Sequence, residues 1–340
     1  MRNCNAVCGC IALIGLLYSP LRAGTTPSDG RVVDESIKVL RKETPTHGEA
    51  GARSRAILDM DRLMIRPGAQ TDPTIRAFYE KMMEYALAEI SQSAPRERTV
   101  WAMYNHGFIV REAGLTVAFD LVDGYPPWEC RLPDWLLRKI DLLLISHSDG
   151  DHYSKRIAEA VMANGKPVLV PSESRELGSL GMDHGQRGSF GGVTVRACKV
   201  WHPTPCRLYE VTFPDGMRVV HTGDMNSSRS LPLIAPPDLL LLDCWVNEEG
   251  TQPDQVGVAN CVRRLRPALT VLGHAQEMGH DYNPADVTGR RPYRWSLEAQ
   301  KVVGADRIKV LMWGERLLLP STPPTSAVPP KVRREPVGGS

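Results

Sequence analysis

The most informative stretch of the sequence is Leu142-Leu-Leu-Ile-Ser-His-Ser-Asp-Gly-Asp-His-Tyr153. Its apolar run leads directly into two histidines, at 147 and 152, and two aspartates, at 149 and 151. A strand that ends in a tight, glycine-containing turn can direct several side chains to one point. Imidazole and carboxylate groups together suit Zn²⁺, Mn²⁺ or Fe²⁺. The stretch therefore predicts a metal site at a strand end. The alternative is a polar loop in which Asp151 caps the next helix.

Later strand-like runs also end in potential ligands. His202 follows the run 193–200, and Asp224 closes the segment Met217-Arg-Val-Val-His-Thr-Gly-Asp224. His274 ends the run that starts at Leu269, and His280 lies six residues further on. A single histidine at a strand end is more often structural than a metal ligand. Successive strands that end this way indicate one shared site, because strand ends are where sheets assemble sites.

The pattern of the surrounding chain is mixed α/β. Short β-branched runs occur at residues 99–104, 108–111, 115–121, 142–145, 167–170, 193–200, 208–213, 217–221, 239–242, 269–272 and 308–312. Helical stretches occur at about 72–92, 133–140, 154–164, 254–264 and 294–303. The early runs are spaced like hairpins and the later ones alternate with helices. This order predicts sheets covered by helices.

On these residues, the chain between about 99 and 315 resembles the metallo-β-lactamase superfamily. The family's H-x-H-x-D-H box is matched by His147, Asp151 and His152, and its lone histidine by His202. Further matches are Asp224 as the bridging aspartate, His274 as the last histidine and Asp120 as an early structural aspartate. Asn105-His106-Gly-Phe-Ile-Val is similar to the opening hairpin of the lactonase-like and phosphodiesterase-like branches. The resemblance implies an αββα sandwich with two metal ions, most simply Zn²⁺, at one edge.

The chain departs from this pattern at residue 149, where Asp149 stands in place of the second histidine of the box. The resemblance then implies one metal site formed by His147, Asp149, His202 and the shared Asp224. A second site would be formed by Asp151, His152, His274 and Asp224. A carboxylate binds Zn²⁺ at about the distance of an imidazole but adds negative charge. Asp149 should therefore favour Mn²⁺ or Fe²⁺ relative to an all-histidine site.

Two neighbouring metal ions predict hydrolysis by a metal-activated water. The substrate would be a small ester, lactone, amide or phosphodiester. Asp151 is a candidate to orient the nucleophile, and His280 and His221 are candidate proton donors, with Glu277 as a further one. Each of the last three is equally well explained as structural support for a ligand. A metal-binding protein without catalysis and a di-iron oxidoreductase are the alternative functions.

Composition places the chain among globular proteins and narrows its partners. Of its 340 residues, 42% are hydrophobic and 24% charged, and the net charge is +2. Neither this charge nor the 6% aromatic content favours a nucleic-acid partner. A small-molecule substrate is expected, and no pattern indicates an oligomeric state.

The first residues predict an export signal. Met1-Arg-Asn3 is a short basic start, and the uncharged run Ala6–Tyr18 is shorter than the about 20 residues that a spanning helix needs. Cleavage near Ala23 would release a periplasmic or secreted protein without a stable membrane span and with no net charge. The alternative is an N-terminus in the cytoplasm that is apolar by chance.

The predicted organisation has four parts. A signal peptide at 1–23 precedes a linker and helical extension at 24–98, of which 24–55 is expected to be flexible apart from a short helix at 33–40. The metallo-β-lactamase-like domain covers 99–315 and a Pro-rich disordered tail covers 316–340. Beyond the signal, five widely spaced cysteines remain, without a C-x-x-C pair. Packing inside the core is their favoured role, although up to two disulfides are possible.

Overall fold

The computed structural model describes residues 27–320 apart from 43–44, 46–50, 65, 67, 94–96, 125–127, 129, 249–254, 276–277, 279–298 and 302. The predicted signal peptide lies outside the described residues, and so does most of the predicted tail and of the helix predicted at 294–303. Among the described residues, no helix is both long and apolar enough to cross a membrane.

The first sheet has seven strands in the order β14-β1-β2-β3-β4-β5-β6. Its strands are β1 (Thr99–Ala102), β2 (Phe108–Glu112), β3 (Leu115–Phe119), β4 (Leu142–Leu144), β5 (Val168–Pro171), β6 (Leu180–Met182) and β14 (Arg316–Leu318). Strands β14 to β3 pair antiparallel, and β3 to β6 pair parallel. The hairpin spacing of the early runs and the later helical crossovers account for this division.

The second sheet has seven strands in the order β13-β12-β11-β10-β9-β8-β7. Its strands are β7 (Arg187–Phe190), β8 (Val193–Val200), β9 (Cys206–Thr212), β10 (Arg218–His221), β11 (Leu239–Asp243), β12 (Leu269–Gly273) and β13 (Ile308–Val310). The neighbouring strands from β7 to β10 pair antiparallel, and those from β10 to β13 pair parallel. Strands β8, β10, β11 and β12 therefore all point the same way, so their carboxyl ends share one edge.

Helices cover the outer faces of the two sheets. They are α1 (Pro27–Lys42), α2 (Ala52–Met64), α3 (Pro73–Gln92), α4 (Asp134–Lys139), α5 (Lys155–Ala163) and α6 (Gln255–Leu265). One apolar cluster joins the facing sides of the sheets, for example Phe108 and Leu144 with Val195 and Leu241. A second cluster joins the outer sides to the helices. The architecture is the predicted αββα sandwich of the metallo-β-lactamase type, with N-terminal helices.

Helix α3 shows how local sequence positions these elements. The Asp72 side chain accepts a hydrogen bond from the Thr74 backbone N–H at 2.7 Å, and Pro73 occupies the first helical position. Ile75, Phe78 and Met82 repeat at helical spacing and are fully buried. The helix predicted at about 72–92 is confirmed, and its apolar face is core.

The expectation of a flexible lead-in at 24–55 is wrong where the structure describes those residues. Helix α1 spans sixteen residues instead of the predicted eight. Val33 and Leu40 are buried in the core cluster, and the Arg66 guanidinium forms an ion pair with Asp29 at 2.9 Å. Composition alone was misleading because Pro27, Ser28 and Gly30 fall in the first turn, where helices accept such residues.

Three strands were not predicted. Strand β7 carries only exposed or half-buried residues, and the three-residue strand β6 has a single buried residue, Met182, so both lack the apolar runs on which strand prediction depends. Strand β14 begins at Arg316, the residue at which the disordered tail was predicted to start, and pairs with β1. The five cysteines outside the predicted signal are free thiols and four of them are buried, which agrees with a packing role.

Candidate metal centre

The predicted ligands meet where the strands of both sheets end. Asp120 follows β3, His202 follows β8, Asp224 lies three residues after β10, and His274 follows β12 directly. The segment after β4 contributes His147, Asp149, Asp151 and His152. The backbone of His274 has a positive φ of 58°, which turns the chain sharply at the end of β12. The sandwich thus brings together residues that are more than 150 positions apart in the sequence.

His147, Asp149 and His202 form one group. Their ligand atoms all lie within 4.8 Å of one another. His147 Nε2 is 3.3 Å from Asp149 Oδ2, and the two imidazole rings are 4.6 Å apart between centroids. His147 is fully buried, whereas the Asp149 side chain is 40% exposed. Asp149 therefore closes the group from the solvent side.

Asp151, His152, Asp224 and His274 form a second group with ligand atoms within 4.8 Å. His152 Nε2 is 3.2 Å from Asp151 Oδ2 and 2.9 Å from His274 Nε2. The two rings stack at 4.9 Å between centroids. Imidazole nitrogens and carboxylate oxygens are the donors that Zn²⁺, Mn²⁺ and Fe²⁺ accept.

Asp224 lies between the two groups. Its Oδ2 is 3.2 Å from His152 Nε2 and 3.6 Å from His147 Nε2. Its Oδ1 is 3.0 Å from His274 Nε2. One carboxylate is thus within reach of both groups, which is the position of a bridging ligand.

The buried carboxylate of Asp120 orients the histidine rings from the side opposite to the ligand groups. Asp120 Oδ2 is 2.8 Å from His152 Nδ1, so the other ring nitrogen of His152 faces the ligand groups. The Ser146 hydroxyl donates to Asp120 Oδ2 at 2.6 Å and lies 2.8 Å from His147 Nδ1. Such carboxylate–histidine pairs fix the tautomer and the orientation of metal-binding rings. The Thr204 hydroxyl holds His202 Nδ1 in the same way at 2.8 Å.

Asn105 belongs to the site, although sequence reasoning used it only as part of a hairpin motif. Its side-chain amide donates to Asp151 Oδ2 at 2.6 Å and lies 3.3 Å from His274 Nε2. The residue has a φ of 56°, a conformation that asparagine tolerates better than most residues. An asparagine in the turn between two predicted strands was the available signal.

The electrostatics of the site favour a bound cation. Burial lowers the pKa of His152, but the carboxylates of Asp224, Asp120 and Asp151 outweigh burial and raise it well above the ordinary value. Burial raises the pKa of Asp224, but His152 and His274 outweigh burial and lower it well below the usual range. Among the described residues, His147 Nε2 and Asp224 Oδ1 are buried and, despite their close contacts with Asp149 and His274, make no well-aligned hydrogen bond. Buried polar atoms require partners, so these residues fit metal ions.

The geometry corrects the predicted role of His221 as a proton donor. His221 is fully buried, and its Nε2 lies 3.1 Å from the His106 carbonyl oxygen. Its Nδ1 accepts the Gly223 backbone N–H at 3.2 Å. Both ring nitrogens are thus used to hold the turn that carries Asp224. The His106 ring lies at a tilt to that of His221, with centroids 4.2 Å apart, and is equally buried.

The other candidates lie partly outside the described residues. His280 and Glu277 lie outside the described residues, whereas His274 is described and belongs to the second group.

The sequence analysis did not single out Asp243, a buried acid that ends β11 and accepts the Trp245 backbone N–H at 2.9 Å. Burial raises the pKa of Asp243 to about 7, even though His274 opposes the shift. An aspartate that closes the run Leu239–Leu242 is the same signal that marked the other strand ends.

Fold and site together describe an αββα sandwich with a candidate metal centre at its strand ends. No protein-family model matches the chain. A UPF0173 metal-dependent hydrolase of Carboxydothermus hydrogenoformans is 31% identical over 157 residues, which cover 40% of this chain and 67% of the relative. A UPF0173 protein of Pyrococcus abyssi is 27% identical over 185 residues, 52% of this chain and 82% of that protein. The chain belongs to the UPF0173 family of metal-dependent hydrolases.

Among solved structures, the metallo-β-lactamase fold protein YhfI of Bacillus subtilis is similar to this chain, with a TM-score of 0.49 and 15% identity. The match covers 65% of this chain and 99% of YhfI.

Proposed function

We propose that this chain is an exported hydrolase that binds two metal ions and cleaves a small ester, lactone, amide or phosphodiester. One observation carries the proposal: two groups of histidine and aspartate atoms, each within 4.8 Å, meet at the single carboxylate of Asp224. Sites that hold two metal ions activate a water molecule for hydrolysis at neutral pH.

The geometry supports the following ligand assignment. His147, Asp149 and His202 would hold one ion, and Asp151, His152 and His274 the other, with Asp224 shared between them. Zn²⁺ is the first candidate because its preferred donors are imidazole and carboxylate. Mn²⁺ and Fe²⁺ remain candidates for the site that contains Asp149, since an additional carboxylate favours harder cations.

The chain's own residues would position the reactants. When bound, the two ions would supply a water molecule of lowered pKa and a Lewis acid for the substrate oxygen. Asp151, whose Oδ2 accepts a hydrogen bond from the Asn105 amide at 2.6 Å, would orient that water. Asp120 and Ser146 keep the His152 and His147 rings directed toward the site. His280 remains the proposed proton donor to the leaving group.

Charge supports a small substrate. The whole chain has a net charge of +2, and cleavage after residue 23 would remove two arginines and no acid. A protein without net charge does not attract polyanions by long-range electrostatics. Export itself rests on the sequence of residues 1–23. Protein recovered from the periplasm or medium should begin near Gly24 on N-terminal sequencing, whereas protein found only in the cytoplasm with an intact Met1 would contradict export.

Metal analysis combined with a substrate panel tests the proposal. Purified protein should contain about two ions per chain and hydrolyse at least one generic ester, lactone, amide or phosphodiester. Asp224→Asn should abolish both properties, whereas Asp183→Asn, at an exposed position, should retain them. Two bound ions without turnover of any substrate would instead identify a metal-binding protein that lacks catalysis. Wild-type metal content and activity in D224N would overturn the ligand assignment.

A further inference from the structure

A cavity lies on the second sheet, away from the candidate metal ligands. It has a volume of about 680 Å³ and is lined by strands β7 to β10 and by the segment 233–235. Its lining includes Thr194 near the start of β8 and Arg218 at the start of β10. The metal ligands follow the opposite ends of the same two strands. The cavity is therefore separate from the metal centre.

Arginine dominates the charge of this cavity. Arg187, Arg196 and Arg218 line it, and Glu210 is the one acidic residue in its described lining. Arg196 Nη1 forms an ion pair with Glu210 Oε2 at 3.5 Å. Within the part of the chain that the structure describes, Arg187 and Arg218 form no ion pair. Two guanidinium groups thus face the cavity without a compensating carboxylate.

The strand register makes this arrangement costly unless a negative charge is added. Arg187 lies directly opposite Arg196 in the antiparallel pair of β7 and β8. Glu210 lies opposite Arg196 on its other side, in β9. Like charges directly opposite each other in a sheet are destabilising, whereas opposite charges stabilise. Glu210 offsets the charge of Arg196, but it reduces the repulsion between Arg196 and Arg187 only in part.

The position of Arg218 adds to the positive field. Its side chain donates to the Pro236 carbonyl oxygen, next to the segment that forms one wall of the cavity. The carboxylate that follows this wall, Asp238, accepts the Arg218 backbone N–H at 2.8 Å. The same wall presents Leu233 with 84% of its surface exposed. The cavity therefore combines guanidinium groups with an apolar contact.

We infer that this cavity binds a small organic anion whose phosphate or carboxylate group is attracted by the guanidinium groups of Arg187 and Arg218 and whose apolar part contacts Leu233. Guanidinium groups match the planar, two-oxygen geometry of carboxylates and phosphates. The volume lies within the range of about 300–1,000 Å³ that small-molecule sites occupy. Nothing in the proposed hydrolysis uses these residues, so the site is an addition to that function.

Calorimetric titration of the full chain with bound metal tests this inference. Phenylphosphonate and phenylacetate serve as probes for the phosphate-like and carboxylate arms, and benzyl alcohol serves as the neutral probe. At least one anion should bind with one-to-one stoichiometry and raise the unfolding temperature, because a ligand of the folded state stabilises it. Benzyl alcohol should not bind.

Removing positive charges and removing the negative charge should change the affinity for the anion in opposite directions. The double variant R187Q/R218Q should weaken anion binding at least about tenfold, because it removes two charge-assisted interactions with the anion. Glu210→Gln should strengthen binding, because Arg196 is then released from its ion pair. Arg138→Gln, at an exposed position on α4, should bind the anion as the wild type does.

Two outcomes would overturn the inference. One is anion binding that is unchanged in R187Q/R218Q, or weakened in E210Q although that variant is folded. The other is anion binding that is lost in D224N and retained in R187Q/R218Q, because the anion would then occupy the metal centre. Retained binding in D224N supports a separate site.

Discussion

At the scale of single residues, Asp149 is the position where the candidate metal centre differs most from the pattern it resembles. Its carboxylate is 3.3 Å from His147 Nε2 and belongs to the group with His202, so it occupies the place of a ligand. Asp149→His should shift the preference between Zn²⁺ and Mn²⁺ toward Zn²⁺ by about tenfold, because imidazole is the softer donor. Competition titrations followed by metal analysis measure that ratio.

The control for this prediction is Asp149→Asn, which removes the charge without adding an imidazole. D149N should weaken the binding of both metals and should not reproduce the preference of D149H for Zn²⁺. An unchanged ratio in D149H would show that residue 149 is not a ligand.

Ser146 is the other residue whose role can be isolated. Its hydroxyl contacts both Asp120 and His147, so it supports rings of both ligand groups. Ser146→Ala should lower metal affinity by about 10–100-fold, the usual effect of removing an outer hydrogen-bond partner. Isothermal titration with Zn²⁺ gives the affinities. Ser91→Ala, on the exposed face of α3, is the matched control, and equal affinities in the two variants would contradict the role.

The sequence could reveal part of this site and not the rest, for a physical reason. His202 and Asp224 each follow a strand of the second sheet that points the same way, so their meeting follows from a shared edge, and the end of β4 in the first sheet marks His147 in the same manner. Asn105 has no such marker, because its contact with Asp151 depends on how a hairpin of one sheet meets a loop that follows β4. The burial of His221 could likewise not be read from its position at a strand end.

At the scale of elements, the approach of β12 to the first hairpin sets the space around the metal centre. A Cβ atom on Gly273 would lie 1.7 Å from His106 Nδ1, and the His106 ring is fully buried. Gly273→Ala should therefore lower the free energy of unfolding by about 3 kcal/mol, at the upper end of the cost of overpacking. Urea denaturation followed by circular dichroism gives this difference.

Gly30→Ala is the matched control for Gly273→Ala. Gly30 lies within α1, and nothing lies within 4 Å of the position of an added Cβ atom. Alanine there should raise the free energy of unfolding by about 0.5–1 kcal/mol, because glycine is a poor helix former. Equal effects of the two substitutions would show that His106 does not limit the space at Gly273.

Elements could be predicted where an apolar pattern marks them. Strand β11 is a continuous buried run, and it is recognisable from Leu239 onward. Strand β7 has no buried residue, because it forms the edge of its sheet and has one neighbour. Its pairing with β8 supplies the backbone hydrogen bonds that hold it as a strand, and no side-chain pattern records such pairing.

At the scale of the whole molecule, a buried ion pair joins the N-terminal helices to the sandwich. Arg53 of α2 contacts Glu315, and their side chains are 2% and 4% exposed. Arg53 Nη2 also donates to the Val310 carbonyl oxygen at 2.8 Å, and Glu315 accepts the Met312 backbone N–H at 2.7 Å. These contacts connect α2 to the turn between β13 and β14, so helices and sheets should unfold together.

Arg53→Met tests this connection. It should lower the free energy of unfolding by about 3–5 kcal/mol, because it leaves the Glu315 charge buried without its partner. The double variant R53M/E315Q should recover part of that loss, since glutamine keeps an acceptor for Met312 without the charge. Arg62→Met, which removes an exposed ion pair on the same helix, should cost less than about 1 kcal/mol.

The dependence on pH distinguishes this charge effect from lost packing. Burial raises the pKa of Glu315, and Arg53 opposes that shift in the wild type. Without Arg53 the pKa should rise further, so stability is kept at low pH and lost as pH increases through the raised value. The deficit of R53M should therefore be smaller at about pH 5 than at about pH 8, and R53M/E315Q should show no such difference. A deficit of R53M that is independent of pH would mean that Arg53 stabilises the junction through packing alone.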